Sequence, residues 1–164
     1  MGPTEAKTVA DFLTADFEQE THTTLRVLEA VPNGRLDYRP DAKAKTGLGL
    51  ARHIALEDQW LLNCVANGAF APPPDDSDAC GIMSPADAVA RYKEKVPAPL
   101  SRVRAMSGEA LANTINFFAT QLPGVNILAI AVKHSVHHRG QLSAYLRAMG
   151  GKVPGIYGPS ADTE

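Results

Sequence analysis

The chain lacks most of what would tie it to a membrane, a nucleic acid or a disulfide framework. It has only two cysteines, Cys64 and Cys80, which form no C-x-x-C pair and no scaffold of bridges. A reducing cytoplasm is the expected setting. Long apolar runs are missing too. The longest strongly apolar stretch is Ile127–Val132, far short of the ~20 residues a spanning helix needs. Met1–Ala10 has neither the basic start nor the apolar segment of a secretion signal. No charge sign dominates: 16 Lys and Arg stand against 18 Asp and Glu, and the cations form no run. Binding to a phosphate backbone needs clustered cations, so neither nucleic acid nor membrane is an expected partner.

The catalytic motifs of several familiar enzymes are absent as well. No Ser sits in a G-x-S-x-G elbow, which argues against a Ser-His-Asp hydrolase. The Glu and Glu-x-x-His ligands of a di-iron bundle are also missing. The acids Asp75, Asp76 and Asp78 lack the ligand spacing and glycine of a calcium loop and read as solvated.

What remains is ordinary for a globular protein: 164 residues, 45% hydrophobic and 21% charged. That length suits one domain, residues 1–164, with one core. Helical periodicity dominates. Val9, Phe12, Leu13, Phe17, Leu25, Leu28 and Val31 outline a first helix from about Thr8 to Ala30, stopped by Pro32-Asn-Gly34. Arg35–Lys45 reads as a loop. Thr46 can cap a second helix over about Gly47–Ala66, closed by Asn67-Gly68. Its core stripe is Leu50, Ile54, Leu61 and Val65; His53, Glu57, Trp60 and Cys64 form the neighbouring one. Ala69–Met83, with three consecutive prolines, is long enough to join helices that are not antiparallel neighbours.

Ser84-Pro-Ala-Asp87 opens a third helix toward Met106, interrupted near Val96–Pro99 by Pro97 and Pro99. Ser107–Gln121 gives no clear period, and Thr114–Phe118 fits a short extended piece or a distorted turn. A fourth helix follows Pro123-Gly124 to about Met149, ended by Gly150-Gly151. The tail over Lys152–Gly158 is expected to fold back on the bundle and Pro159–Glu164 to fray. The expected fold is all-α, a four-helix bundle with long crossover connections.

Histidine is scarce, with five in all, yet two stand one turn apart on the last helix. His134 and His138 share the stripe of Ile127, Ala131, Leu142, Tyr145 and Met149, positions a plain bundle fills with aliphatics. On a helix they lie about 6 Å apart along the axis, so both rings can reach one ion. The alternative is a pair of hydrogen-bonded core histidines. His53 is the natural third imidazole. Glu57, one turn on, could hold the His53 ring, accept a proton or face solvent. Cys64 reads as a small core residue and His22 as an edge histidine.

These residues also carry a resemblance. His134-x-x-x-His138-Arg-Gly-Gln-Leu142, the Leu146-x-x-x-Gly150-Gly151 end, the Pro154-x-x-Tyr157-Gly158 tail, and Leu50-Ala-Arg-His53-Ile with Trp60 resemble the DinB/YfiT-like family. The resemblance implies a four-helix bundle, commonly a homodimer, holding a divalent metal on His53, His134 and His138. His137 points about 60° from His134 on the helical wheel and is not expected to ligate. Arg139 and Gln141 follow the family pattern, with ligand orientation, pocket shaping and a structural role all open. Gly140 is expected to permit close helix packing.

Three imidazoles leave a divalent ion an open position, as in catalytic sites, and nitrogen ligands suit zinc or nickel. Relatives in the wider superfamily include transferases and isomerases that use low-molecular-weight thiols. Three functions follow as expectations. The first is a metal-dependent transferase that activates such a thiol toward a small electrophilic substrate. The second is a metal-dependent hydrolase with Glu57 as base. The third is a non-catalytic, stress-related bundle that binds a metal or ligand.

Overall fold

The computed structural model describes residues 1–163. Six α-helices and one hairpin follow in order, with a single 3-10 turn at Asp78–Cys80: α1 (Pro3–Glu29), α2 (Gly47–Asn67), α3 (Pro85–Lys95), α4 (Pro97–Arg104), α5 (Gly108–Ala112), β1 (Thr114–Phe117), β2 (Thr120–Pro123) and α6 (Gly124–Leu146). The fold is mostly helical, as expected. α1, α2, the α3–α4 pair and α6 are the four rods of the bundle. Among the described residues no helix is long and apolar enough to cross a membrane.

Local chemistry sets the helix ends. Thr46 Oγ1 accepts from Gly49 N at 3.0 Å to start α2, and Gly68 at φ 61° stops it. Ser84 and Asp87 form a reciprocal capping box for α3. Pro97 divides the third rod into α3 and α4, which share Val96 as a cap. At the end of α6, Gly151 N donates to Leu146 O at 2.8 Å and Gly150 N to Arg147 O at 3.0 Å. With Gly150 at φ 90° this is a Schellman cap, which carries the turn to Met149.

Two helix readings need correction. α1 begins at Pro3 rather than Thr8, because Glu5 accepts from Gly2 N and Pro3 occupies the first turn. Its inner face is also rotated from the expected stripe. Ala6, Ala10, Thr14, Phe17, Val27 and Leu28 are buried, whereas Val9 faces out and Phe12 is 71% exposed. Small residues at Ala6 and Ala10 mark the true contact face, a signal that counting large apolar residues misses.

α2 packs chiefly on α6 and on α3–α4, as does α1, so α1 and α2 stand diagonally. The N-termini of α1 and α6 both meet α5: a Cβ on Gly108 would lie 2.2 Å from Pro3 O, and Gly124 N donates to Asn113 O. Their C-termini meet as well, since Arg35 donates to Ala148 O at 2.7 Å. α2 runs opposite to α6, pairing His53 with His138 and Asp58 with Ser135. α3–α4 runs parallel to α2, with Tyr92 at Asp58 and Arg102 at Asn67.

That parallel pairing explains the long connection over 68–84: it must return the length of α2. It lies along that helix, tied by Trp60 Nε1 to Ala71 O (2.8 Å) and by Arg52 to Ile82 O and Asp78 (both 2.5 Å). Asp76 is half-buried between Lys45 and His53, so the expectation of a solvated acid does not hold for it, whereas Asp78 pairs with Arg52 and stays exposed. The segment that read poorly forms α5 and the β1–β2 hairpin, paired from Thr114↔Pro123 to Phe117↔Thr120. Tyr157 reaches back to α1 and α6. Within the stretch expected to fray, Asp162 accepts from Arg147 Nε and Val153 N, each at 2.9 Å. Glu164 lies outside the described residues.

Candidate metal centre

α2 and α6 run antiparallel with His53 facing His134 and His138. The ring centroids stand 5.1 Å (53–134), 4.4 Å (53–138) and 4.3 Å (134–138) apart. One nitrogen from each lies within 4.8 Å of the others. All three rings are half-buried, on the flank of α6 rather than in its deepest stripe. Ser135 and Arg139 take the positions facing the core. The reading that placed both histidines on the central stripe was thus off by one residue.

The outer hydrogen bonds decide what these rings can do. His53 Nδ1–H donates to Asp76 Oδ2 at 2.9 Å, and His138 Nδ1–H donates to Gln141 Oε1 at 2.7 Å. In neutral rings those protons leave both Nε2 atoms as acceptors, yet they face one another at 3.2 Å. Two lone pairs at that distance repel unless a cation lies between them. A proton is a poor candidate. Burial, above all, lowers the His53 pKa against the pull of Asp76, and burial with the neighbouring imidazoles lowers His138 to about 4. A metal fits: two nitrogens on one tetrahedral zinc stand about 3.3 Å apart. The donor set is all nitrogen, and outer-shell acceptors fix the ring tautomers as in known metal sites. A three-histidine cluster that can hold a metal ion is what the geometry amounts to.

A family model described as DinB family matches residues 6–163. The chain belongs to the DinB family. Two Bacillus subtilis (strain 168) proteins are similar to it in sequence. The uncharacterized protein YrdA is 42% identical over 52 residues, 32% of this chain and 31% of YrdA, so that match spans about a third of either. The uncharacterized protein YjoA is 22% identical over 139 residues, 84% of this chain and 89% of YjoA. Crystal structures agree in fold. A DinB-like protein from Bacillus cereus ATCC 10987 gives a TM-score of 0.75 at 22% identity, covering 88% of this chain and 95% of that one. The B. subtilis YjoA structure gives 0.70 at 20%, covering 90% and 97%.

Other residues of this DinB-family chain sort as follows. Glu57 is buried beside the trio, bonds to none of the three rings, and burial raises its carboxyl pKa. Its neighbours on α2 and the connecting segments build an aromatic wall. Trp60 stands 6.1 Å from Phe70, 5.9 Å from Phe117 and 6.2 Å from Phe118. Phe118 is 62% exposed at the hairpin tip with φ 52°, a left-handed conformation unusual for a bulky side chain. His137 is exposed and lies outside the three-histidine cluster. His22 lines a separate cleft of about 280 Å³ with Tyr92, Leu100 and Arg104. Cys64 is a buried core thiol whose pKa burial raises.

Arg139 is structural. It is 1% exposed, pairs with Glu20, and donates to the Tyr157 hydroxyl at 2.6 Å. Gly140 does not serve close packing; nothing lies within 4 Å of where its Cβ would be, and it faces out. Two site residues escaped the sequence reading. Asp76 looked like one of several loop acids. Asp58 had a visible signal: it continues the stripe Leu50, Ile54, Leu61, Val65, where an acid is out of place.

Proposed function

We infer that this protein binds one divalent ion, zinc or nickel, on His53, His134 and His138. The ion would serve transfer of a low-molecular-weight thiol to a small electrophilic substrate. The observation that carries the metal reading is the approach of two acceptor Nε2 atoms to 3.2 Å with both Nδ1 protons directed outward. The thiol follows from the family resemblance. When bound, the ion supplies a positive charge that favours the deprotonated form of a thiol or water near neutral pH.

The chain's own residues supply the rest. The trio binds, while Asp76 and Gln141 hold two rings in the ligating tautomer. Glu57, with its raised pKa and no bond to the rings, can take up the proton that the nucleophile releases. Trp60, Phe70, Phe117 and Phe118 offer an apolar flank that limits water. Glu57 would serve equally as base for hydrolysis, which is the second reading. The assembly we propose is a cytoplasmic homodimer, as the resemblance implies, with Val9 and Phe12 on α1 as apolar surface available for contact.

Metal analysis of tag-free protein tests the first step. Wild type should hold about one ion per chain, and His53→Ala and His134→Ala should each lose it. Equal metal content in all three would sink the ligand set. Conjugation of a model electrophile with glutathione, mycothiol or bacillithiol by the loaded protein should then exceed that of the ion-free protein. Ester or amide cleavage without conjugation would favour the hydrolase. Silence in both assays, with the ion bound, would leave a binding protein.

A further inference from the structure

Two buried polar atoms at the centre of the bundle face each other without a partner: Asp58 Oδ1 and His134 Nδ1. They are 3.7 Å apart, beyond hydrogen-bond distance. Buried groups of this kind are rarely left unpaired, because each forfeits a bond it had in water. The other oxygen of Asp58 is fully engaged. Oδ2 accepts from Tyr92 Oη at 2.9 Å and from Ser135 Oγ at 2.6 Å, and Ser135 Oγ lies 3.4 Å from Thr24 Oγ1. Thr24 is on α1, Asp58 on α2, Tyr92 on α3 and Ser135 on α6, so this one network touches all four rods.

Asp58 is 0% exposed. Tyr92 and Ser135 hold Oδ2 and thereby aim Oδ1 at His134. His53 and His138 already have acceptors on Nδ1, namely Asp76 and Gln141. His134 alone lacks one, and Asp58 stands where it would be. A shift of under about 1 Å closes the gap.

We propose that Asp58 is a positioning residue for the metal centre, accepting the Nδ1–H of His134 so that Nε2 is the ligating atom. Through the hydroxyls of Tyr92, Ser135 and Thr24 the ring is thereby referenced to all four rods. The three outer acceptors then differ in kind. Asp76 sits on the 68–84 connection and shares its oxygen with Lys45, and Gln141 is exposed on α6. Asp58 is the buried one, and His134 is the ligand held by the core. The consequence for metal affinity rests on the metal reading above; the tautomer does not.

The test separates the two. In ion-free, 15N-labelled wild type, the His134 ring should carry its proton on Nδ1, with Nε2 bare; a ring protonated on Nε2 overturns the proposal with or without a metal. Asp58→Leu, which keeps the volume and removes both acceptor oxygens, should shift that tautomer and weaken zinc binding by about 10–100-fold in a chelator competition. Unchanged tautomer and unchanged affinity in a folded Asp58→Leu protein would also overturn it. Should Asp58→Leu not fold, Tyr92→Phe loosens the same carboxylate while keeping the ring. Tyr92→Phe should broaden or shift the His134 resonances, and an unaltered His134 signal there counts against the proposal. Loss of thermal stability without a tautomer change would mean a purely structural acid. If wild type binds no zinc at all, the metal reading fails and the tautomer result still decides for Asp58.

Discussion

At the scale of single residues, the site is tuned by groups that never touch an ion. Asp76 holds His53 from an otherwise exposed connection and is itself held by Lys45 at 2.5 Å. Burial raises its pKa, but the hydrogen bonds from Lys45 and His53 outweigh this and leave it below the usual carboxylate range. Asp76→Ala removes both carboxylate oxygens, so His53 loses the acceptor that fixes its tautomer. Zinc affinity measured by chelator competition should fall about 10-fold or more, while the melting temperature changes little.

The same rings make the ion-free protein sensitive to acid. His138 has a folded pKa of about 4 against an ordinary value of 6.5. Between those values the unfolded chain binds a proton that the folded chain refuses, so stability falls as pH drops through that window. His53 shifts in the same direction. Denaturant midpoints taken from pH 7.5 to 4 should decline, and the decline should be shallower in His138→Gln. A midpoint flat over that range in wild type would contradict the burial assigned to these rings.

Elements position the site by sharing ends. α5 is only a turn and a half long, yet it forms the platform on which α1 and α6 begin. Gly108 makes this possible, since a Cβ there would lie 2.2 Å from Pro3 O and 2.7 Å from its carbonyl carbon, both backbone. Gly108→Ala should therefore push α5 off the start of α1 and lower the unfolding free energy by about 1–3 kcal/mol; an unchanged melting curve would rule out that contact. α2, the break at Val96, the end of α6 and the one-turn spacing of His134 and His138 were all legible in the sequence. Caps, prolines and a 3.6-residue period act locally and write themselves into it.

What was not legible depends on partners distant in sequence. The inner face of α1 turned on alanines whose burial is set by helices distant in sequence, α5 and α6 among them. The hairpin lacked a turn signal because Phe118 occupies a left-handed position where glycine is usual, held there by Trp60 and Phe70. Asp58 and Asp76 are site residues only because α3 and the 68–84 connection pack where they do. An acid on a core stripe was the one clue that could have been used.

For the whole molecule, an ion held by the trio would act as a cross-brace. His53 lies on α2 and His134 and His138 on α6, neighbouring rods whose packing also buries Leu128, Ala131 and Leu142. A ligand that binds the folded chain and not the unfolded one stabilises it by mass action, about 2.7 kcal/mol at a hundred times Kd. For a domain of this size that corresponds to a rise of roughly 5–10 °C in Tm. Zinc or nickel at that excess should raise the wild-type Tm by this amount and leave His53→Ala and His138→Ala unmoved, because either variant leaves only two imidazoles. A rise of the same size in the variants would place the ion elsewhere, on surface carboxylates or the tail. Next to His138 on α6, Arg139 joins Glu20 of α1 to Tyr157. Arg139→Met removes that buried ion pair and leaves Glu20 half-satisfied, which should cost about 3–5 kcal/mol. Its metal-dependent rise in Tm should nevertheless match that of wild type, since the three ligands and their acceptors are intact. Loss of both together would mean that the Arg139 ion pair, and not only the trio, sets the geometry of the centre.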